Sequence, residues 1–279
     1  MSDSLYNNTD FDLSNKVAVV TGGCGLLGKE FSRALLSAGA KVIIGDIDKD
    51  KLIQFSETLS KKYSKSRFSI EELDISNIKS IDIFINKVEK LYKRVDILVN
   101  SAAIDPKFEK KSNTDEFIDF ENFPLSAWNQ SIDINLTATF QITQAVCRIM
   151  KKYNKGSIIN IGSNYGLVAP DQRIYKKDDS ASQPYKPVIY SVCKSALIGF
   201  TKYLASYYSG TKIRVNILTP AGVYNDHDEE FEKRYSNNTI LRRMSNKEEY
   251  WGSIIFLASD ASSYMTGSNL IVDGGWTSL

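Results

Sequence analysis

The 279-residue chain has little of what would crosslink, anchor or metallate a protein. Its three cysteines, Cys24, Cys147 and Cys193, show no paired spacing. That excludes a disulfide framework and implies reduced thiols in a cytoplasmic protein. The one histidine, His227, lies in D-H-D-E-E with no second His or Cys beside it, so no metal site is expected. No apolar run approaches membrane-spanning length, and residues 1–15 are polar and acidic without the apolar core of a secretion signal. A membrane partner is therefore not expected. A net charge of only +2 argues against a dedicated nucleic-acid binder. Internal repeats and low-complexity linkers are also missing. What is present is 42% hydrophobic residues, enough for a sizeable core, and a length that one large domain over 1–279 accounts for most simply.

Short apolar runs recur at 16–20, 41–45, 68–73, 97–100, 157–161, 214–218 and 269–272, with helical patterns filling most of the gaps. Runs this apolar are expected of strands buried on both faces, and the alternation predicts an α/β fold. The architecture would be a Rossmann-type, doubly wound parallel sheet of about seven strands, with helices on both faces and right-handed crossovers. Three gaps look irregular: 104–123, 164–187 and 221–246. Each follows a strand's carboxyl end, so all three should gather over one edge of the sheet as substrate loops.

The first strand runs straight into T-G-G-C-G-L-L-G at 21–28, and a helical pattern follows. Gly22, Gly25 and Gly28, with Leu27 between them, allow a tight turn and a close backbone approach to a pyrophosphate. The helix N-terminus supplies free N–H groups to hold it. The second strand ends at Asp46, 18 residues after Gly28 (46 − 28). Such an acid accepts hydrogen bonds from the adenosine ribose and repels a 2′-phosphate. Ile47 follows it, and no arginine or lysine stands nearby, so NAD is expected in preference to NADP.

Tyr190 and Lys194, in Y-S-V-C-K, lie four residues apart in a stretch that reads as helix over 188–208. Both side chains then share one face, one turn apart. A cation beside a phenol favours the phenolate, drawing proton exchange below the usual pKa of roughly 10. G-S-I-I-N-I-G-S delivers Ser163 at a strand's carboxyl end, where ligands of open α/β sheets lie. Asn135 falls within a long amphipathic helix over 125–150, where a buried amide should have a hydrogen-bonding duty. Each residue alone is more often structural than catalytic; the order glycine turn, Asn, Ser, Tyr, Lys is specific.

Over 13–276 the chain resembles the short-chain dehydrogenase/reductase family. The resemblance implies that Tyr190 is the acid/base and that Lys194 binds the nicotinamide ribose and lowers the tyrosine's pKa. By the same resemblance Ser163 orients the substrate oxygen and Asn135 holds a proton-relay water. Asp74 in L-D-I-S, with Ile75 after it, matches the acid near the adenine ring. Asn100 and Ala102 in V-N-S-A-A match the N-N-A-G turn, and Pro220 and Val223 in P-A-G-V match the segment facing the nicotinamide amide. The second asparagine and the last glycine of N-N-A-G are replaced here, and Ala221 replaces a glycine in the P-G turn. A homo-oligomer, tetramer or dimer, is also implied, with the helices over 125–150 and 189–208 meeting symmetry mates.

The expected reaction moves hydride between nicotinamide and a secondary alcohol or ketone, and the small-molecule substrate is expected to be a sugar or sugar derivative. Ser163 to Tyr190 spans 27 positions (190 − 163), about twice the family's usual interval. The extra loop holds Tyr165, Arg173, Lys176, Lys177 and Lys186. The first four are the expected substrate residues, and the cations would suit an anionic or phosphorylated sugar; a solvated charged loop is the alternative. This loop, V-Y-N-D-H-D-E-E-F and the chain's end also resemble flagellin-modification dehydrogenases of surface-sugar pathways. Two other functions stand against this reading. One is a 3-oxoacyl-thioester or polyol reductase with the same catalytic residues. The other is a nicotinamide-sensing binding protein, whose relatives typically lose the tyrosine or lysine.

Overall fold

Burial on both faces explains why the inner apolar runs become strands. In this computed structural model, residues 8–105, 119–176 and 184–279 are described. The strands are β1 (Val17–Thr21), β2 (Lys41–Asp46), β3 (Phe68–Glu72), β4 (Ile97–Asn100), β5 (Lys155–Ile161), β6 (Lys212–Pro220) and β7 (Asn269–Val272). All pair in parallel, in the order β3-β2-β1-β4-β5-β6-β7.

Successive side chains of a strand point to opposite faces, so β1 feeds two apolar layers. Ala18 and Val20 pack with Phe31 and Leu35 of α1 (Leu26–Ser37), Leu52 of α2 (Lys49–Ser60) and Ile254 of α8 (Trp251–Ala258). Val17 and Val19 pack with Ile81 and Phe84 of α3 (Ile78–Tyr92) and Val146 of α5 (Ala138–Tyr153). Full burial of each valine, leucine, isoleucine or phenylalanine among them stabilises by about 1.5–3 kcal/mol. The two layers hold the sheet rigid, and its carboxyl edge inherits that rigidity. Strand order reverses between β1 and β4, which opens a crevice where the glycine turn faces the segment after Asn100. Among the described residues no helix is long and apolar enough to cross a membrane.

Two elements differ from the sequence expectation. The helix over 125–150 is interrupted: α4 (Leu125–Ile132) passes into a π turn at Asp133–Thr137 before α5 begins. There the Ala138 N–H reaches back five residues to the Asp133 carbonyl. Such single π turns are concentrated at functional sites, and this one carries Asn135. The stretch 221–246 is not irregular throughout, because it contains α7 (Glu229–Asn237). Asp228 caps α7 by accepting the Phe231 N–H, and Glu229, Glu230 and Glu232 fill its first turn. Acids there complement the positive end of the helix dipole. The acidic run that looked like a loop is a helix start.

Candidate active site

The carboxyl edge is built strand by strand. After β1, Gly22 takes a left-handed φ of +61°, and a Cβ there would stand 2.5 Å from the Ala102 Cα. The turn and the β4 segment therefore touch backbone to backbone. A Cβ on Gly28 would collide with the Gly22 carbonyl, so α1 also packs directly on the turn. Gly25 is the N-cap of α1 and no side chain caps that end. Backbone N–H groups of Leu26, Leu27 and Gly28 are left without a side-chain acceptor at a positive dipole end. This cradle suits the diphosphate of a dinucleotide.

At the end of β2, the Asp46 carboxylate accepts the Cys24 N–H (2.8 Å) and the Asp48 N–H (3.0 Å). Both bonds aim the carboxylate along the glycine turn and leave lone pairs for further donors. The Ile47 side chain is 66% exposed just beyond it. Asp74, after β3, accepts the backbone N–H (2.9 Å) and hydroxyl (2.6 Å) of Ser76, and Ile75 is buried beneath it. At the end of β4 the Asn100 amide donates to Thr143 Oγ1 and Asn160 Oδ1, both at 2.8 Å. Its own buried Oδ1 has no protein partner, as expected where a ligand donor would approach. Pro220 ends β6 buried, and Val223 bridges to Ser245.

β5 delivers Ser163, and α6 (Val188–Tyr207) presents Tyr190 and Lys194 one turn apart. Ser163 and Tyr190 are neighbours, and the serine hydroxyl acts to favour the phenolate. Ser163 Oγ also meets Asn164 Oδ1 at 3.1 Å and accepts the Tyr165 N–H at 3.2 Å. Lys194 is buried with its Nζ on the Ile161 carbonyl at 2.8 Å. That leaves two of its three N–H donors for other partners. Asn135 does not merely face the site: its amide clamps the Ile104 backbone, accepting the N–H at 2.8 Å and donating to the carbonyl at 2.9 Å. The side chain expected to hold a water is thus engaged in fixing the start of the 104–123 segment.

The acidities differ from the simple expectation of a phenol drawn down by its lysine. Burial pushes the Tyr190 phenol up to about 12, with the Ser163 hydroxyl pulling the other way and the Asp105 carboxylate adding to the rise. Burial likewise lowers the Lys194 ammonium to about 8. Lys194 Nζ lies 5.8 Å from the Tyr190 ring centroid. In a dry site both charged forms are penalised, and at that distance one lysine does not reverse the burial effect.

The substrate loop separates its cations. Arg173 forks onto Asp171 (2.8 and 2.9 Å) with its side chain 90% exposed, and Lys176 is exposed. Asp171, two residues away, captures the Arg173 guanidinium at the surface. Lys177 lies outside the described residues. Tyr165 is buried, its ring edge-on to Trp276 at 5.9 Å and its hydroxyl accepting from Tyr175 at 3.1 Å.

Residues that reasoning from sequence passed over also converge here. Asn164 Nδ2 donates to the Tyr235 hydroxyl at 3.3 Å, and that hydroxyl accepts the Gly222 N–H. Ser163 is thereby tied to α7 and the β6 segment. Lys186 Nζ sits 4.2 Å from the Tyr190 ring centroid and 2.5 Å from Asp105 Oδ2. The adjacency of Asn164 to Ser163 was a usable signal; Tyr235 and Asp105 gave none.

A family model described as enoyl-(acyl carrier protein) reductase matches residues 26–277. NAD-dependent glycerol dehydrogenase from Listeria innocua is 28% identical, covering 96% of each chain. Post-translational flagellin modification protein A from Campylobacter coli is 28% identical over 95% of this chain and 99% of its own. Among solved structures, a short-chain dehydrogenase from Leptospira borgpetersenii with bound NAD⁺ is 33% identical with a TM-score of 0.83, covering 99% of this chain and 98% of that one. A gluconate 5-dehydrogenase from Burkholderia cenocepacia, in complex with NADP and tartrate, is 26% identical with a TM-score of 0.82 and coverage of 97% and 98%.

Proposed function

Since the chain belongs to the short-chain dehydrogenase/reductase family, whose members are oxidoreductases acting on CH–OH groups, we propose that it oxidises a secondary alcohol of a sugar or polyol with NAD⁺. The whole of 1–279 is read as one dinucleotide-binding catalytic domain, with 104–123, 164–187 and 221–246 over the substrate. The carrying observation is Tyr190 beside Ser163 and one helix turn from a buried Lys194, at the sheet's carboxyl edge.

A nicotinamide cofactor held at this edge would supply the hydride acceptor for the alcohol carbon. Tyr190 accepts the hydroxyl proton, and in reverse returns it to the carbonyl oxygen. Ser163 donates a hydrogen bond to that oxygen and stabilises its developing negative charge. Lys194, anchored on Ile161, keeps donors that would bind the cofactor's ribose beside Tyr190. Asn135 holds Ile104 and so fixes one wall of the site. Gly22, Gly25, Leu27 and Gly28 cradle the diphosphate. Asp74, Ile75, Asn100 and Ala102 flank the adenosine half, while Pro220 and Val223 flank the nicotinamide half. Of the expected substrate residues that are described, Tyr165 shares a packed cluster with Tyr190.

Asp46 supports NAD over NADP: its carboxylate lies at the ribose end of the crevice, and the next side chain is the exposed, uncharged Ile47. Three free buried cysteines support a cytoplasmic location. A homo-oligomer built on α5 and α6 is supported by Phe140, Tyr203 and Tyr207, which are 47%, 67% and 64% exposed and line a cleft between these helices.

The test is a screen of polyols, aldonates, sugar phosphates, nucleotide sugars and 3-oxoacyl thioesters with NAD⁺/NADH and NADP⁺/NADPH. NAD⁺ reduction by a carbohydrate alcohol is the expected result. Turnover of thioesters alone would establish the rival reductase, and NAD⁺ binding without any turnover would establish a binding protein.

A further inference from the structure

We infer that Lys186 and Asp105 form a charge-balanced clamp that reads the hydroxyl next to the reacting carbon and so selects neutral vicinal diols over anions. The inference rests on the proposed alcohol dehydrogenase reading of the same site and names its substrate class.

The two residues are 81 positions apart and come from opposite sides of the site. Asp105 follows β4, within the segment that Asn135 clamps. Lys186 stands just before α6, its backbone N–H donating to Gln172 Oε1 at 2.8 Å. Its side chain is only 14% exposed, in contrast to Arg173 at 90%. Lysine seldom gives up hydration this far without a use for its charge. The ammonium lies over the face of the Tyr190 ring, 4.2 Å from the centroid. A substrate whose oxygen reaches the phenol must pass its next carbon beside that ammonium.

Charge then decides what that carbon carries. The pair already balances itself, because Lys186 Nζ and Asp105 Oδ2 are 2.5 Å apart. A carboxylate or phosphate arriving here would have to displace Asp105 from Lys186 while lying against the displaced anion. A hydroxyl faces no such conflict: it accepts from the ammonium and donates to the carboxylate with the pair intact. The other cation near Tyr190, Lys194, is committed to Ile161, and the loop cations Arg173 and Lys176 point to solvent. Among the described residues, the remaining groups around Tyr190 and Ser163 are uncharged: the hydroxyls of Tyr165 and Tyr175, and Asn164. The anionic sugar suggested by the loop's composition is replaced by a neutral one.

The experiment measures kcat/KM with NAD⁺ for matched pairs: glycerol and glycerate, arabinitol and arabinonate, sorbitol and gluconate. Wild type should prefer the polyol by about tenfold or more, the scale of one charge-assisted hydrogen bond gained or lost. Lys186→Met should raise KM for the polyol by a similar factor, while affecting kcat much less. Lys186→Gln, which keeps a donor, should lose less and serves if the Met variant is unstable. Asp105→Asn should move the polyol/aldonate ratio toward the aldonate by about tenfold, because it removes the repelling charge. If the pair merely latched two loops together, each variant would lower both members of a pair equally and leave the ratio unchanged. That result, or a wild-type preference for aldonates, overturns the clamp while leaving the dehydrogenase reading intact. Turnover of no member of the panel overturns the polyol reading itself, and the clamp with it.

Discussion

On the proposed reading, cofactor choice rests on Asp46, one carboxylate held by two backbone N–H groups. Asp46→Ala with Ile47→Arg should shift the NAD/NADP preference toward NADP, by tenfold or more in the ratio of kcat/KM, since repulsion is removed and a phosphate partner added. A wild type that already prefers NADP would contradict this account of Asp46. At this scale the legible residues were those whose placement follows from a strand end or a helix turn: Gly22, Asp46, Ser163, and Tyr190 with Lys194. Lys186 was visible only as one cation among several, because nothing in sequence distinguishes it from Arg173. The distinction is made by partners. Arg173 finds Asp171 locally, whereas Lys186 finds Asp105 across the site. The raised Tyr190 phenol was also illegible, since burial and not neighbour spacing sets it.

The glycine turn is an element that tolerates no side chain. A Cβ at Gly28 falls on the Gly22 backbone carbonyl, which has no room to move while Gly23 hydrogen-bonds Gly45. Gly28→Ala should therefore lower the melting temperature and weaken NAD⁺ binding by at least tenfold in calorimetric titration; unaltered affinity would count against the cradle. The π turn makes a different prediction. Asn135→Ala leaves both polar groups of Ile104 without their partner, a loss of about 1–3 kcal/mol if they stay dry. It should lower kcat/KM and leave NAD⁺ affinity close to wild type, and equal losses in both would place Asn135 in the cofactor site instead. The short 3₁₀ helix at Gln172–Tyr175 supplies a pH test. Asp171 accepts from Arg173 and Asn238, which holds its carboxyl down at about 2. A folded pKa below the unfolded value means stability that is complete above about pH 4 and lost as pH falls toward 2. The melting temperature of Asp171→Asn should accordingly fall less steeply than wild type's over that window. Identical slopes would remove Asp171 from the acid response. The sequence hid α7 and the π turn for related reasons: a run of acids looks like a loop until its cap is seen, and π turns carry no periodicity of their own.

Across the whole molecule, the sheet and its order of function were the most legible feature. The five inner strands carry a near-continuous apolar pattern because they are buried on both faces, while the edge strands β3 and β7 are only partly covered. Their carboxyl ends then necessarily collect Gly22, Asp46, Asp74, Asn100, Ser163 and Pro220 along one edge. Assembly is the molecular-scale prediction: light scattering at micromolar concentration should give a dimer or tetramer mass, and Phe140→Glu with Tyr203→Glu should reduce it. A monomeric wild type would refute the α5–α6 interface. The central claim is that Tyr190 moves the proton in an NAD-dependent alcohol oxidation. It is tested most directly by Tyr190→Phe, measuring NAD⁺ affinity by calorimetry and steady-state NAD⁺ reduction on the best alcohol from the screen. The account predicts affinity within about threefold of wild type and a fall in kcat of about 10²–10⁴-fold, the usual worth of a general acid–base; turnover within a factor of about two of wild type would contradict it.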